Sequence, residues 1–126
     1  TLIVVIFLII LAGAVVLILR SPEDDWIKNK QGIYVEHGAP AQTPPEVSSQ
    51  RQIIAKALEL YQTKNAEGME FSSQCLGTVE GYAIDIVHMP RSAEDNLVEN
   101  QCEDFRSGKV SHFIELDKDG DVVRAV

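Results

Sequence analysis

The stretch Thr78-Val79-Glu80-Gly81-Tyr82-Ala83-Ile84-Asp85-Ile86-Val87-His88-Met89-Pro90 decides the fold. Tyr82, Ile84 and Ile86 alternate with Ala83, Asp85 and Val87. This period of two sends successive side chains to opposite faces of a strand, and Pro90 ends it. Further along, His112, Ile114 and Leu116 alternate with Phe113 and Glu115, and Val122 to Val126 supplies a third strand. Asp119-Gly120 between the last two is a two-residue hairpin signal. In the other direction, Thr43-Pro44-Pro45-Glu46 predicts a helix start, with Thr43 as N-cap and Glu46 closing a capping box. Ile53, Ile54, Ala57, Leu58 and Tyr61 then share one stripe, so the helix runs from about Pro44 to Asn65 and stops before Gly68. The expected class is α+β: one amphipathic helix packed on a small antiparallel sheet of about three strands.

The N-terminal stretch is a different material. From Leu2 to Leu19 every residue but Gly13 is apolar. As a helix this run is roughly 27 Å long, which predicts a transmembrane helix over 1–20. Ala12-Gly13-Ala14 also fits the small-x-small cleavage pattern of a signal peptide, the alternative reading. Residues 21–45 hold Pro22, Pro40, Pro44 and Pro45 and read as a juxtamembrane linker. Within it Trp26-Ile27 and Ile33-Tyr34-Val35 flank the turn-rich Asn29-Lys30-Gln31-Gly32 as a short hairpin. Arg20, Trp26 and Tyr34 are expected at the membrane interface, where a basic residue and amphipathic rings favour the headgroup layer. Packing of both rings on the domain over 46–126 is the alternative.

The whole chain has 126 residues, 19 acidic against 11 basic, and a formal charge of -8. Its mean hydropathy of -0.01 averages the apolar run against an acidic remainder. Such a balance excludes a multidomain enzyme and a protein that grips nucleic-acid phosphates through general positive charge.

Cys75 and Cys102 are the only cysteines. An even count in a domain facing an oxidising compartment predicts a disulfide that pins the polar connection from Arg91 to Lys109 to the sheet. A zinc site of Cys75, Cys102, His88 and His112 is the rival, without a Cys-x-x-Cys or His-x-x-x-His pair to support it. Asp117-Lys118-Asp119-Gly120-Asp121 invites a calcium reading, but its Gly stands at the fourth position rather than the sixth, and a hairpin turn explains it better. Asp85, His88 and Arg91 would form a constellation on a helix, not on a strand that ends at Pro90. No Gly-x-Ser-x-Gly elbow, Gly-rich phosphate loop or His-Glu-x-x-His pair is present. Hence no catalytic, cofactor or metal residue is expected, and the chain does not read as an enzyme.

Two resemblances follow from these residues. Asp25-Trp26-Ile27, Gly32, Tyr34-Val35, His37-Gly38 and Pro40 resemble the D-W-I-C-x-x-G-x-W-V-x-H-G-x-P pattern of small, uncharacterised single-pass membrane proteins of uncultivated microbes. The chain departs from it with Lys28 in place of Cys, one extra residue before Gly32, and Tyr34 in place of Trp. That resemblance implies membrane anchoring and carries over no functional residue. The apolar N-terminal helix, the phrase Ala57-Leu58-Glu59-Leu60-Tyr61 after Arg51, and the disulfide-pinned meander are similar to a type IV pilin or pseudopilin. Here Val5 stands where pilins place a Glu, and Pro22, Pro40, Pro44 and Pro45 break what would be one helix.

The sequence therefore reads as a single-pass, membrane-anchored protein whose extracytoplasmic domain binds a partner protein through an acidic loop. Arg91, Glu94, Asp95, Glu99 and Glu103 are the expected contact residues, since loops on a rigid scaffold carry recognition. The expected partners are the lipid bilayer and a protein, with no nucleic acid and no cofactor, and a homo-oligomer is compatible. A pilin-like filament subunit and an accessory subunit of a larger membrane complex are the alternatives.

Overall fold

The computed structural model describes residues 1–19 and 24–126, the side chains of 16–19 excepted. Helix α1 spans Leu2–Leu19, and hairpin strands β1 (Asp25–Lys28) and β2 (Tyr34–His37) follow. Helix α2 covers Pro45–Ala66. Strands β3 (Gln74–Val79), β4 (Tyr82–Ile86), β5 (His112–Leu116) and β6 (Val122–Ala125) form one sheet in the order β3-β4-β5-β6. Between β4 and β5 the crossover contains two short 3-10 turns, Ala93–Asn96 and Val98–Asn100, and one helical turn, α3 (Glu103–Arg106).

The sheet is mixed, which corrects the antiparallel sheet of about three strands. β4 runs parallel to β5, with Ile84 opposite Ile114 and Asp85 opposite Glu115, while the outer pairs are antiparallel. Strand periodicity carries no information on direction. Parallel neighbours need a crossover of a dozen or more residues, and the polar connection after β4 supplies it. The fourth strand, β3, turns into β4 through Glu80-Gly81, with φ of 46° and 83°. Both positive values match the two-residue turn whose twist suits the flanking strands.

Alternation sorts the sheet into two faces. Ile84, Ile86, Ile114 and Leu116 pack with Leu76 against Ile53 and Ala57 of α2, and these seven make most of the core. Each buried aliphatic side chain there contributes about 1.5–3 kcal/mol. α2 starts one residue later than expected: Pro44 is its N-cap and no side chain caps it, so Thr43 does not play that part. The Pro44 carbonyl instead accepts from the N–H groups of Val47 and Ser48 at 3.1 and 3.2 Å.

The expected hairpin is present and bonded to the body. Ala125 N–H donates to the Gln31 carbonyl at 2.7 Å. The Gln50 amide of α2 donates to the Gly32 carbonyl and accepts from Tyr34 N–H, both at 2.8 Å. Gly32 has a φ of +80°, and a Cβ there would collide with the Ala125 carbonyl. Its Cβ-less, left-handed backbone is what lets the turn close on β6.

Two expectations for the N-terminal part are overturned. Among the described residues no helix is long and apolar enough to cross a membrane, so the transmembrane reading of 1–20 and the single-pass membrane placement are corrected. Trp26 is buried, its Nε1–H donates to the Gln42 carbonyl at 3.0 Å, and the Arg51 guanidinium lies 4.6 Å from its ring centroid. Tyr34 is half-buried with the Lys28 ammonium 5.1 Å from its ring. The Trp26 ring packs within the domain, as in the alternative reading, while the Tyr34 ring lies against Lys28 of its own hairpin. Arg20, the third expected interface residue, lies outside the described residues.

Candidate functional site

The second face of the sheet carries the polar chemistry. Asp85 and Glu115 project from it side by side, and the crossover closes over them. Cys75 of β3 and Cys102 of the crossover form the expected disulfide, with Cα atoms 4.8 Å apart. Their sulfurs and an Asp85 carboxylate oxygen lie within 4.8 Å of one another. With both sulfurs bonded to each other there is no thiolate to hold a metal, and neither His88 nor His112 belongs to that group.

Glu115 is buried and clamped from two sides. Arg91 Nη1 donates to both of its carboxylate oxygens at 3.1 Å, and Arg124 donates through Nε and Nη2 at 3.2 and 3.1 Å. Arg124 also stacks on Phe113, 4.8 Å from the ring centroid. Among the described residues Asp85 receives no guanidinium; its one described hydrogen bond is from Cys102 N–H at 3.2 Å. Burial pushes its carboxyl up from 3.8 to about 6, the Cys102 N–H opposes this, and the charge of Glu115 adds to it. A cavity of about 80 Å3 lies against Asp85, Arg91, Asp95, Glu115 and Arg124.

A second network fixes the start of the crossover. Asp95 is buried and accepts from His88 N–H at 3.1 Å and Ser92 N–H at 2.7 Å, while His88 Nδ1 sits 3.0 Å from its Oδ1. Burial alone would raise the Asp95 carboxyl, but the hydrogen bonds from Ser92 and His88 outweigh it and hold the group below its ordinary value. Ser92 Oγ lies 2.9 Å from the same His88 Nδ1. A nucleophilic triad needs its serine and its acid on opposite ring nitrogens. Here both address one nitrogen, and Ser92 with Asp95 forms the capping box of the first 3-10 turn. His88 also borders a cleft of about 260 Å3 with Phe71, Met89, Pro90 and Lys118.

The expected contact residues separate into two groups. Glu94, Glu99 and Glu103 are exposed on the crossover. Asp95 is 4% exposed, its carboxylate consumed by the loop, so it is corrected from a contact residue to an internal one. Arg91 is spent on Glu115, on the Asp95 carbonyl and on Asn96. Asp117 closes the hairpin turn rather than a calcium loop, its Oδ1 accepting from Asp119 and Asp121 N–H at 2.9 and 3.0 Å.

Sequence reasoning missed Glu115 with Arg124 and His88 with Asp95. A polar residue among apolar strand neighbours, as at Asp85 and Glu115, was the available signal, since a buried carboxylate demands a partner. No protein-family model matches the chain, and no curated protein or solved structure is significantly similar to it.

Proposed function

We propose that this chain is a disulfide-stapled binding domain whose contact surface is the ridge of the crossover. Leu97 and Val98 are the apolar anchors there, flanked by Glu94, Glu99 and Glu103, and the partner is a protein segment with an apolar anchor among basic side chains. The exposure of adjacent Leu97 and Val98, 45% and 60%, on a segment tied down at both ends carries the reading. Asp95 and Arg91 fasten the segment before them and Cys102 fastens it after. Apolar side chains held out on a fixed loop keep their contact area without the entropy cost of ordering a mobile one. The carboxylates around them favour a basic partner and speed its approach. The disulfide suits work in an oxidising compartment. We prefer this to a filament subunit because the β1–β2 hairpin separates α1 from α2, which a pilin-like chain keeps as one helix.

A peptide array of graded net charge, with and without an apolar centre, tests the reading. Basic peptides with an apolar centre should bind, Leu97→Ser with Val98→Ser should abolish the binding, and Glu94→Lys with Glu99→Lys should weaken it in a salt-dependent way. Asp95 is left intact so that the loop keeps its shape. Binding that survives all four substitutions removes the ridge from the function.

A further inference from the structure

We propose that the Cys75–Cys102 disulfide is a thiol–disulfide exchange centre for dithiol substrates, in which Cys75 takes the incoming sulfur and the Asp85 carboxyl gives its proton to the departing Cys102. The two half-cystines are unequal. Cys75 is exposed on β3, whereas Cys102 is 1% exposed. Access decides which sulfur a thiolate attacks, so Cys102 is the leaving sulfur. Cys102 is also a poor place for negative charge. Its Sγ is buried, with the carbonyl oxygens of Gly77 and Ile84 each at 3.5 Å. Carbonyls at that distance accept a hydrogen bond from a thiol and repel a thiolate.

Departure of Cys102 therefore needs a proton, and the Asp85 carboxyl is placed to give it through one bridging water. An Asp85 oxygen lies within 4.8 Å of both sulfurs, and Cys102 N–H holds the carboxyl in place. Its upward displacement toward 6 keeps part of it protonated near neutral pH. Glu115, Arg91, Asp95 and Arg124 are the charged groups that share its cavity, and that cavity is the route by which solvent restores the proton. Glu115, held by both arginines, stays in its pairs.

The chemistry balances. A substrate thiol loses its proton to solvent and the thiolate attacks Cys75 Sγ. The Cys75–Cys102 bond breaks, a mixed disulfide forms on Cys75, and Cys102 leaves with the Asp85 proton as a thiol. The second substrate thiolate attacks the substrate sulfur of the mixed disulfide, which releases the substrate as a disulfide and Cys75 as a thiolate that solvent protonates. The dithiol is oxidised by two electrons and the protein disulfide is reduced by two.

The test uses the full chain with dithiothreitol as the dithiol, following disulfide reduction from pH 5 to pH 9. The rate divided by the thiolate fraction of the probe should fall about 100-fold as pH rises through the Asp85 titration. Asp85→Asn should give a flat profile at the high-pH level of the wild type. A flat wild-type profile, or one that Asp85→Asn leaves unchanged, overturns the proposal. A second measurement is independent of that variant's folding. With oxidised glutathione after prior reduction, Cys102→Ala should form a mixed disulfide at Cys75, and Cys75→Ala should leave Cys102 unmodified. Equal modification of the two sulfurs overturns the assignment of roles.

Discussion

The two faces of the sheet solve the same problem by different physics. Toward α2, Ile84, Ile86, Ile114 and Leu116 bury hydrocarbon, and stability follows volume. Toward the crossover, Glu115 buries its charge between Arg91 and Arg124, which keep contact with solvent, with half-buried Asp85 beside it, and stability follows pairing. Adjacent strands thus place a fully apolar layer and an ion cluster one side chain apart. The contrast teaches that the first face can be strong with no specific partner, whereas the second is only as good as its last hydrogen bond. Asp85, which no guanidinium among the described residues reaches, is where the second face is left unbalanced.

Substitutions can break the contrast in order of effect. Ile84→Ala should cost the most, about 4 kcal/mol in denaturant unfolding, because it removes hydrocarbon and leaves a cavity. A much smaller cost would mean that the α2 face is not the main core. Replacing Cys75 and Cys102 together by Ala should cost about 3.5 kcal/mol in the chain-entropy model for a separation of 27 residues, read in the same unfolding experiment. The loss should fall on the crossover, so hydrogen exchange of its amides should accelerate more than that of α2.

Glu115→Gln comes next, at about 2 kcal/mol, because it leaves Arg91 and Arg124 facing each other without the carboxylate. Replacing Glu115, Arg91 and Arg124 together by apolar residues should recover most of that loss. Failure to recover would show that the charges also specify the crossover's position.

The smallest effect is the one of opposite sign. Asp85 sits above its ordinary 3.8, so the folded chain holds its proton more tightly than the unfolded one. That contribution is complete below about pH 4 and is lost as pH rises through about 6. Asp95 is held below its ordinary value, so its contribution is present above about pH 4 and is lost as pH falls. Asp85→Asn should raise stability at pH 7.5 by about 1 kcal/mol once solvent screening is allowed for, with no gain at pH 4. A melting series across this range checks it, and a loss at pH 7.5 would show that Asp85 is not strained by ionisation. The same substitution should remove the pH-dependent exchange rate, a gain in stability bought at the site of chemistry.

Much of the fold was legible residue by residue. The alternation from Tyr82 to Val87 and from His112 to Leu116, the stripe on α2, the Asp119-Gly120 turn and the hairpin around Gly32 each rest on a few neighbours, and the Cys75–Cys102 pairing rests on there being two cysteines. β3 escapes a period-two pattern because Gly77 and the bulge between Cys75 and Gly77 break its alternation, and Glu80 is an uncommon residue at positive φ. Of the polar face, only the cysteines and the acidic crossover could be seen. Arg124 lies 33 positions from Arg91, and no spacing rule joins them on Glu115.

The α+β class, the helix, most strands, the disulfide and the acidic charge are readable from residue order and composition, because each follows from local periodicity, turn chemistry or a count of residues. Tertiary structure decided the direction of β5 beside β4, the use of Trp26 in packing, and the internal part played by Asp95. It also set Asp85 against Cys102, beside a Glu115 clamped by two arginines. These depend on how a crossover returns over a sheet face, a long-range choice made by which charges find partners out of water.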